Sequence, residues 1–331
     1  MGMFDIKLKN KKNFSCASDT TIFEAAKAQG VVLEHSCLTA RCRSCIVKVL
    51  EGNTTDVLKE LVLSDEEKHQ KFVLSCNTKP TSNLVLDIED LGDILLFEKK
   101  IVPSKIDTVE KVNKDVIKIT LRFPPNTNFN FISGQYVNLM RGDIKRSYSI
   151  ANKSGNNSKL EFYIKKYNNG LMSKYWFEEA KQNDLLRMEG PLGTFFLRES
   201  KKRNIIFLAT GTGIAPIKSI LEQIQNSNQD HSDKVFWLFL GARYEEDFFW
   251  KPEVNNKINL NFYPVLSRPN EKWEKDQGYI QDIVLKKNID LSDSQVYACG
   301  SNQMIESAKE VLIKNFLPEN QFFSDAFICT N

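Results

Sequence analysis

A chain of 331 residues is longer than one ordinary hydrophobic core and predicts two or three domains. Its hydrophobic content of 41%, charged content of 26% and net charge of +3 are typical of a globular protein and give no indication of nucleic-acid binding. The longest apolar runs, such as IIFLA and VFWLFLGA, are too short to span a bilayer, and no apolar stretch follows the charged start. We therefore expect a cytoplasmic protein without membrane insertion.

The first 95 residues predict a small sheet packed on one helix. Strands are indicated by FDIKLK, NFSCAS, CIVKVLEG and VLDIED. A helix is indicated by TTIFEAAKAQG, with Thr20 or Thr21 as its N-cap and Gly30 as its stop, and a second helix by LSDEEKHQ. We assign residues 1–95 to one domain.

Four cysteines in this region have the spacing of iron–sulfur ligands. Cys37, Cys42 and Cys45 form the run Cys-x4-Cys-x2-Cys, and Cys76 follows thirty-one residues after Cys45. This is the plant-type spacing for a 2Fe-2S cluster. The alternatives are a zinc knuckle, which usually pairs two Cys-x2-Cys units, and coincidence among seven cysteines. The three remaining cysteines are an odd number, which favours reduced thiols over a disulfide framework.

Beyond a joining segment near residues 90–103, the pattern changes twice. From about 104, β-rich runs separated by Gly, Pro and Asn turns predict a closed antiparallel barrel, so that residues 96–199 form a second domain. From residue 200, strands and helices alternate. This alternation predicts an open parallel sheet with helices on both faces, and assigns residues 200–331 to a nucleotide-binding α/β domain.

The middle region carries a candidate flavin site. Arg146 and Tyr148 of the run RSYS point to the same face of a predicted strand, where a cation holds a phosphate and an aromatic ring covers a flat heterocycle. Farther on, Gly170 and Ser173 lie at the start of a predicted helix, which attracts a pyrophosphate. Taken separately, each feature has an ordinary structural explanation: RSYS is explained by an alternating strand, and the Gly170 segment by a common turn.

A third site begins the α/β region. The run IIFLATGTGIAPIKS reads as strand, glycine turn and helix, with Gly211 and Gly213 allowing close backbone approach and Pro216 suited to the first helical turn. Such a turn binds a dinucleotide phosphate at a helix N-terminus. It is not the Gly-x-Gly-x-x-Gly fingerprint, and an ordinary tight turn is the alternative.

The three segments in this order, together with the Cys-Gly pair of YACGS, resemble the ferredoxin–NADP reductase superfamily, in the group with a fused ferredoxin. The resemblance implies a β-grasp ferredoxin domain, FAD in the barrel and NAD(P)H on the α/β domain. It places Tyr148 against the isoalloxazine and Ser149 near its reactive nitrogen. The residues it assigns to FAD are Arg146, Tyr148, Ser149, Ile164, Lys166, Gly170, Met172 and Ser173. Those it assigns to the nicotinamide nucleotide are Thr210, Gly211, Thr212, Gly213, Ala215, Pro216, Cys299 and Gly300, with Cys299 near the reactive ring.

The resemblance also implies an electron path. NAD(P)H gives up two electrons as hydride and the cluster accepts one at a time, so FAD stands between them and passes electrons on to a partner enzyme. The tail LPENQFFSDAF resembles reductases that serve a pyridoxamine-phosphate (PMP)-dependent CDP-6-deoxyhexulose 3-dehydrase in dideoxysugar biosynthesis, and Phe327 would then cover the flavin. The alternatives are the reductase component of a bacterial oxygenase and a redox sensor or binding module without turnover.

Nucleotide choice and cluster tuning are less defined. Arg243 and Arg268 fall near the predicted ribose end and would suit the 2′-phosphate of NADPH, whereas the resemblance favours NADH. In the cluster loop, Ala40 and Arg43 stand where the family usually or commonly has glycine. A positive φ costs alanine about 1 kcal/mol, so we expect the cluster to form with altered tuning. Arg41 and Arg43 also suggest a basic docking spot for an acidic partner.

Overall fold

The computed structural model divides the chain into two compact units, Met1–Leu96 and Phe97–Asn331. It describes residues 2–59, 62–92, 94–155, 158–253 and 257–326. Phe327, the predicted flavin cover, lies outside these residues. Within the described ranges, no helix has both the length and the apolar character needed to cross a membrane.

The first unit is a mixed five-stranded sheet with one main helix. Its elements are β1 (Met3–Leu8), β2 (Asn13–Ala17), α1 (Ile22–Ala28), β3 (Ile46–Glu51), β4 (Thr54–Asp56), α2 (Asp65–His69), β5 (Phe72–Leu74), β6 (Thr78–Pro80) and β7 (Leu84–Leu86). The sheet order is β2-β1-β7-β3-β5, with β1 and β7 parallel and β4 paired separately with β6. This confirms the predicted β-grasp architecture.

Helix α1 begins and ends at the signals that the sequence contains. Thr21, rather than Thr20, is the N-cap: its hydroxyl accepts a hydrogen bond from the Glu24 amide at 3.2 Å, and the Glu24 side chain completes a capping box. Gly30 has φ +74° directly after the last turn. Ile22, Phe23, Ala25 and Ala26 are buried against the sheet in the core of this unit.

The second unit begins with a six-stranded antiparallel sheet. Its elements are β8 (Lys100–Lys111), β9 (Val116–Arg122), β10 (Tyr136–Arg141), β11 (Ile144–Ser149), β12 (Lys159–Lys165), α3 (Leu171–Lys174), a π-helical turn (Tyr175–Glu179) and β13 (Leu185–Leu192). The order is β11-β10-β13-β8-β9-β12, and the end strands β11 and β12 contact each other. The sheet therefore curves around its own core, as the barrel prediction requires.

The joining segment is shorter than the sequence suggested. Strand β8 already begins at Lys100 and includes Pro103, which lies opposite Arg187 of β13. Proline is acceptable there because β9 pairs with β8 only from Lys105 onward, which leaves one edge of β8 open at Pro103. The prediction that residues 90–103 form the connection is therefore wrong at its C-terminal end.

A parallel five-stranded sheet completes the second unit. Its elements are β14 (Asn204–Thr210), α4 (Ile214–Asn226), β15 (Val235–Ala242), β16 (Leu260–Leu266), α5 (Ile280–Lys286), β17 (Ser294–Gly300), α6 (Asn302–Lys314) and β18 (Phe322–Ala326). The order is β16-β15-β14-β17-β18, parallel throughout. Ile205 and Phe207 of β14 pack on the α4 side, whereas Ile206 and Leu208 pack on the side of α5 and α6. Helices on both faces confirm the predicted open α/β sheet.

The barrel and the parallel sheet share a core through α4. Val116, Ala151 and Phe195 from the barrel region belong to the same hydrophobic cluster as the buried face of α4. Lys218 of α4 donates from Nζ to the Ala151 carbonyl at 2.9 Å. The segments predicted to hold FAD and the nicotinamide nucleotide are therefore anchored to one another.

Candidate cluster, flavin and nucleotide sites

The four predicted cluster ligands stand in two pairs. Cys37 and Cys42 contact each other in the loop between α1 and β3, and the Sγ atoms of Cys45 and Cys76 are 3.2 Å apart. Within the described ranges, no three His, Cys, Asp or Glu side chains converge on a single-ion position. Because a 2Fe-2S cluster takes two thiolates on each iron while a structural zinc takes four ligands at once, the pairs fit the cluster better.

Backbone amides of the loop point at the first pair. The amides of Thr39 and Arg41 each donate to Cys37 Sγ at 3.4 Å, and the Cys37 amide donates to Cys42 Sγ at 3.3 Å. The Cys42 thiol, together with these amides, lowers the pKa of Cys37 to about 5. The same contact raises the pKa of Cys42, which keeps the shared proton. The loop therefore favours a thiolate at Cys37, the form in which cysteine binds iron.

The loop adopts left-handed backbone conformations without glycine. φ is +54° at Leu38, +57° at Ala40 and +61° at Arg43. The Arg43 guanidinium is bonded to the Val62 carbonyl and the Glu67 carboxylate, and the side chain is 18% exposed. Arg43 is thus turned into its own domain rather than outward as a docking cation, while Arg41 is exposed.

The residues predicted to bind flavin come from neighbouring elements of the barrel. Arg146 and Tyr148 lie half-buried on β11, and Ser149 is buried at its end. Helix α3 contacts β11, which brings Met172 and Ser173 to the same place. Burial raises the pKa of Tyr148 to about 12, so its phenol is protonated at neutral pH.

Trp176, which the sequence analysis did not single out, contacts the predicted site residue Tyr148. Its indole Nε1 donates to the Tyr148 hydroxyl at 2.9 Å, and the two rings meet edge to face with centroids 6.1 Å apart. Indole is only a donor, so the Tyr148 oxygen accepts and its own proton points elsewhere. Trp176 lies in the π-helical turn, and such turns are frequent at functional sites.

The Gly170 turn is compact. A Cβ at Gly170 would lie 3.2 Å from Ser173 Oγ, which accepts a hydrogen bond from the Tyr167 amide at 3.0 Å. Helix α3 has only four residues, so the predicted helix start is one turn that continues into the π-helical turn. Of the other assigned residues, Ile164 is buried on β12, while Lys166 is exposed just beyond that strand.

The nucleotide turn is pressed against the end of β17. Gly211–Gly213 form a short 3-10 turn between β14 and α4. A Cβ at Gly213 would lie 2.2 Å from the Cys299 carbonyl oxygen, and one at Gly300 would lie 2.2 Å from Thr210 Oγ1. Thr212, Ala215 and Pro216 are buried in the same turn. Close backbone packing of this kind agrees with the prediction that the turn presents main-chain amides to a nucleotide phosphate.

Cys299 and the two arginines lie at different places around this turn. Cys299 is fully buried, and burial raises the pKa of its thiol well above the ordinary value, so the thiol is neutral. Arg243 and Arg268 are exposed just after β15 and β16, where the Arg268 amide donates to the Arg243 carbonyl at 3.0 Å. Arg268 Nη1 also lies 3.4 Å from the Tyr244 hydroxyl. The structure thus brings both arginines together at the carboxyl ends of the neighbouring strands β15 and β16.

Comparison with known proteins covers each region of the chain. A 2Fe-2S iron-sulfur cluster binding domain matches residues 6–81, an oxidoreductase FAD-binding domain matches 103–197, and an oxidoreductase NAD-binding domain matches 207–310. The chain therefore carries domains for all three predicted cofactors. Each predicted residue set lies inside the corresponding match, apart from the residues beyond position 310.

Full-length relatives have the same domain order. The chain is 36% identical over 316 residues to the CDP-6-deoxy-L-threo-D-glycero-4-hexulose-3-dehydrase reductase of Yersinia pseudotuberculosis serotype I, covering 95% of both chains. It is 27% identical to the propane 2-monooxygenase reductase component of Mycolicibacterium smegmatis, covering 93% of this chain and 92% of that one. A solved structure, the ferredoxin reductase in carbazole 1,9a-dioxygenase, matches with a TM-score of 0.68 and 23% identity over 99% of each chain, which supports the fold.

Proposed function

Since this chain belongs to the fused-ferredoxin group of the ferredoxin–NADP reductase superfamily, we propose that its electron acceptor is a PMP-dependent CDP-6-deoxyhexulose 3-dehydrase. Within that family the chain is an NAD(P)H-dependent oxidoreductase that passes electrons through FAD and a 2Fe-2S cluster to a partner enzyme. The observation that carries the choice of acceptor is the 36% identity over 95% of a dehydrase reductase. By this proposal the protein acts in dideoxysugar biosynthesis.

We assign each step to its own part of the chain. The proposed boundaries are residues 1–95 for the ferredoxin domain, 96–199 for the FAD domain and 200–331 for the NAD(P)H domain. When bound, FAD accepts a hydride and releases electrons one at a time. Arg146 would bind its phosphate, Tyr148 would cover its ring and Ser149 would lie near its reactive edge, while the Thr210–Pro216 turn would orient the nicotinamide nucleotide.

The proposed cluster ligands complete the path. Cys37 and Cys42 would hold one iron and Cys45 and Cys76 the other, since these are the pairs that stand in contact. By this proposal the Cys299 backbone, which lies against Gly213, forms part of the nicotinamide site, while its fully buried thiol is neutral. Phe327 remains a proposed flavin cover on the resemblance of the tail alone.

We propose NADH as the donor. Arg243 and Arg268 are the cations that could bind a 2′-phosphate, and Arg268 already lies within reach of the Tyr244 hydroxyl. If neither arginine reads the phosphate, Arg243→Ala and Arg268→Ala leave the preference between NADH and NADPH unchanged. A shift of that preference in either variant would assign NADPH recognition to it. A cytoplasmic location stays a prediction from the sequence.

The second candidate function is the reductase of an oxygenase. It is supported by the 27% identity to a monooxygenase reductase component over 93% of this chain. Both candidates share the donor end, which does not name the acceptor. A sensor or binding module without turnover is the third alternative, and it predicts no bleaching of the flavin by NADH within seconds.

One experiment separates these alternatives. The purified holoprotein is reduced anaerobically with one equivalent of NADH, and its flavin and cluster absorbance is followed after mixing with each purified acceptor. We expect rapid reoxidation by the PMP-loaded dehydrase with its CDP-deoxyhexulose substrate, and slow reoxidation by an oxygenase component. The opposite order would assign the protein to an oxygenase system, and absence of reduction by NADH would refute both reductase functions.

A further inference from the structure

An apolar segment covers one pair of cluster ligands. Leu63 is buried in a small hydrophobic cluster with Cys45 and Leu74, and Val62 and Cys76 pack against it. The segment precedes helix α2 and lies far in sequence from either cysteine. Val62 and Leu63 therefore lie against the Cys45–Cys76 pair and exclude water from that side.

Arg43 fastens this segment. Its Nη1 donates to the Val62 carbonyl at 2.5 Å and to Glu67 Oε2 at 3.2 Å, while Nη2 pairs with Glu67 Oε1. Glu67 Oε2 also accepts a hydrogen bond from the Ser64 amide at 2.8 Å, within the capping box of α2. One guanidinium thus holds the carbonyl before the helix and the carboxylate in its first turn.

The geometry makes this a stronger tie than a surface ion pair. The side chains of Arg43 and Glu67 are 18% and 25% exposed. When a guanidinium bonds both oxygens of a largely buried carboxylate, the contact is less screened by water and salt than an exposed ion pair. It is also more directional. It forms although Arg43 has a left-handed backbone at φ +61°, a conformation that is unfavourable for a residue other than glycine.

We propose that Arg43 is a positioning residue that holds Val62 and Leu63 as an apolar cover over the iron bound by Cys45 and Cys76. The cover limits access of water and chelators to that iron. Lysine at this position would carry the charge but could not bond the Val62 carbonyl and both carboxylate oxygens at once. The inference rests on the proposed ligand set, and specifically on the pairing of Cys45 with Cys76.

Arg41 provides a matched control. It lies two positions away in the same loop, its side chain is exposed, and its backbone amide rather than its guanidinium points at Cys37. Arg41→Ala therefore removes a nearby positive charge without touching the cover. Arg43→Gly removes the guanidinium contacts to Val62 and Glu67 and also relieves the left-handed strain. A faster loss of iron from that variant therefore cannot come from added backbone strain.

The test measures how fast the cluster of the full-length holoprotein is lost to an anaerobic iron chelator, together with its visible circular dichroism. We expect about tenfold faster loss in Arg43→Gly and in Glu67→Gln, with an altered dichroism, because a charge-assisted bond to a half-buried segment is broken. Arg43→Lys should fall between these variants and the wild type, and Arg41→Ala should match the wild type.

Two outcomes would overturn the proposal. One is wild-type release and dichroism in both Arg43→Gly and Glu67→Gln; the other is an equal increase in Arg41→Ala, which would mean that charge alone matters. If Arg43→Gly does not retain a cluster, Glu67→Gln and Arg43→Lys decide. A wild-type protein that binds no cluster would instead refute the proposed function.

Discussion

The cluster loop, residues 37–45, and the nucleotide turn, residues 210–216, are both predicted to bring backbone amides to a cofactor, but they meet the conformational demand differently. The cluster loop places Leu38, Ala40 and Arg43 in left-handed conformations that glycine adopts more easily. The nucleotide turn has glycine at Gly211, where φ is +54°, and at Gly213, where a Cβ has no room.

The difference teaches which glycines are indispensable. A left-handed φ costs an ordinary residue about 1–2 kcal/mol, which surrounding contacts can offset. A Cβ placed 2.2 Å from a backbone oxygen, as at Gly213, cannot be accommodated without moving a strand. We infer that missing space, rather than φ, is the stricter requirement.

The largest effect is expected where the cluster loop loses a ligand. Cys42→Ser should abolish the cluster, because the pair formed with Cys37 then lacks one thiolate. FAD content and NADH-dependent reduction of ferricyanide should remain, since these depend on the second unit. Iron analysis and visible spectra provide the measurement.

The control for that variant is Cys16→Ala. Cys16 is fully buried in the core of the same unit and is not a predicted ligand. It should keep the cluster spectrum. Retention of iron and spectrum in Cys42→Ser would remove Cys42 from the ligand set.

The nucleotide turn should show the next largest effect. Gly213→Ala forces the turn away from the Cys299 carbonyl, and we expect flavin reduction by NADH to slow by about a hundredfold, as a displacement near 1 Å can do. Stopped-flow bleaching of the flavin under anaerobic conditions measures it.

Gly211→Ala sharpens the same comparison. Gly211 has a left-handed φ but no atom within 4 Å of its would-be Cβ. The expected cost is only about 1 kcal/mol, which corresponds to less than a tenfold change in rate. Equal slowing of flavin reduction in the Gly211 and Gly213 variants would show that a left-handed φ and missing space for a Cβ are equally strict requirements.

The contact between Arg43 and Glu67 predicts that the stability of the fold depends on pH. Hydrogen bonds from Arg43 are the main cause that lowers the pKa of Glu67 to about 2, from an ordinary value near 4.5. A lowered carboxyl pKa stabilises the fold above about pH 4.5, and that contribution disappears as the pH falls toward 2. The Glu67→Gln variant should lack this pH-dependent contribution to stability.

The measurement is the urea midpoint for loss of cluster absorbance in wild type and Glu67→Gln. We expect the wild type to have the higher urea midpoint at pH 7, by the equivalent of about 1 kcal/mol in the free energy of unfolding. This difference between the two proteins should narrow steadily below about pH 4.5. A difference that does not depend on pH would mean that Glu67 acts through its shape alone.

The smallest effect is expected at Ala40. Ala40→Gly relieves about 1 kcal/mol of left-handed strain but adds flexibility to the unfolded chain, so the net gain should stay within about 0.5 kcal/mol. The same urea titration reports it. A large loss of stability would mean that the Ala40 methyl group, which packs beside Cys45, contributes more than its strain costs.

The ligand spacing and the strand and helix periods could be read from the sequence because they are local. Helix α1 begins at its threonine cap and ends before Gly30, and the alternating RSYS strand places Arg146 and Tyr148 as the period of two requires. Helix α5 was not identified in the sequence, because its buried face is completed by distant residues of the parallel sheet and of α6. Trp176 was also missed, since only the π-helical turn brings its indole to Tyr148.

The sequence by itself determined the three architectures, their order and the spacing of the predicted cluster ligands, because period, spacing and turn chemistry act within a few residues. Only the tertiary structure decided which thiols pair, which glycines have no room for a side chain and where Arg43 points. Glu67 lies twenty-four residues after Arg43, and Cys76 thirty-one after Cys45. Contacts across such distances depend on how the sheets and helices pack, which no local pattern encodes.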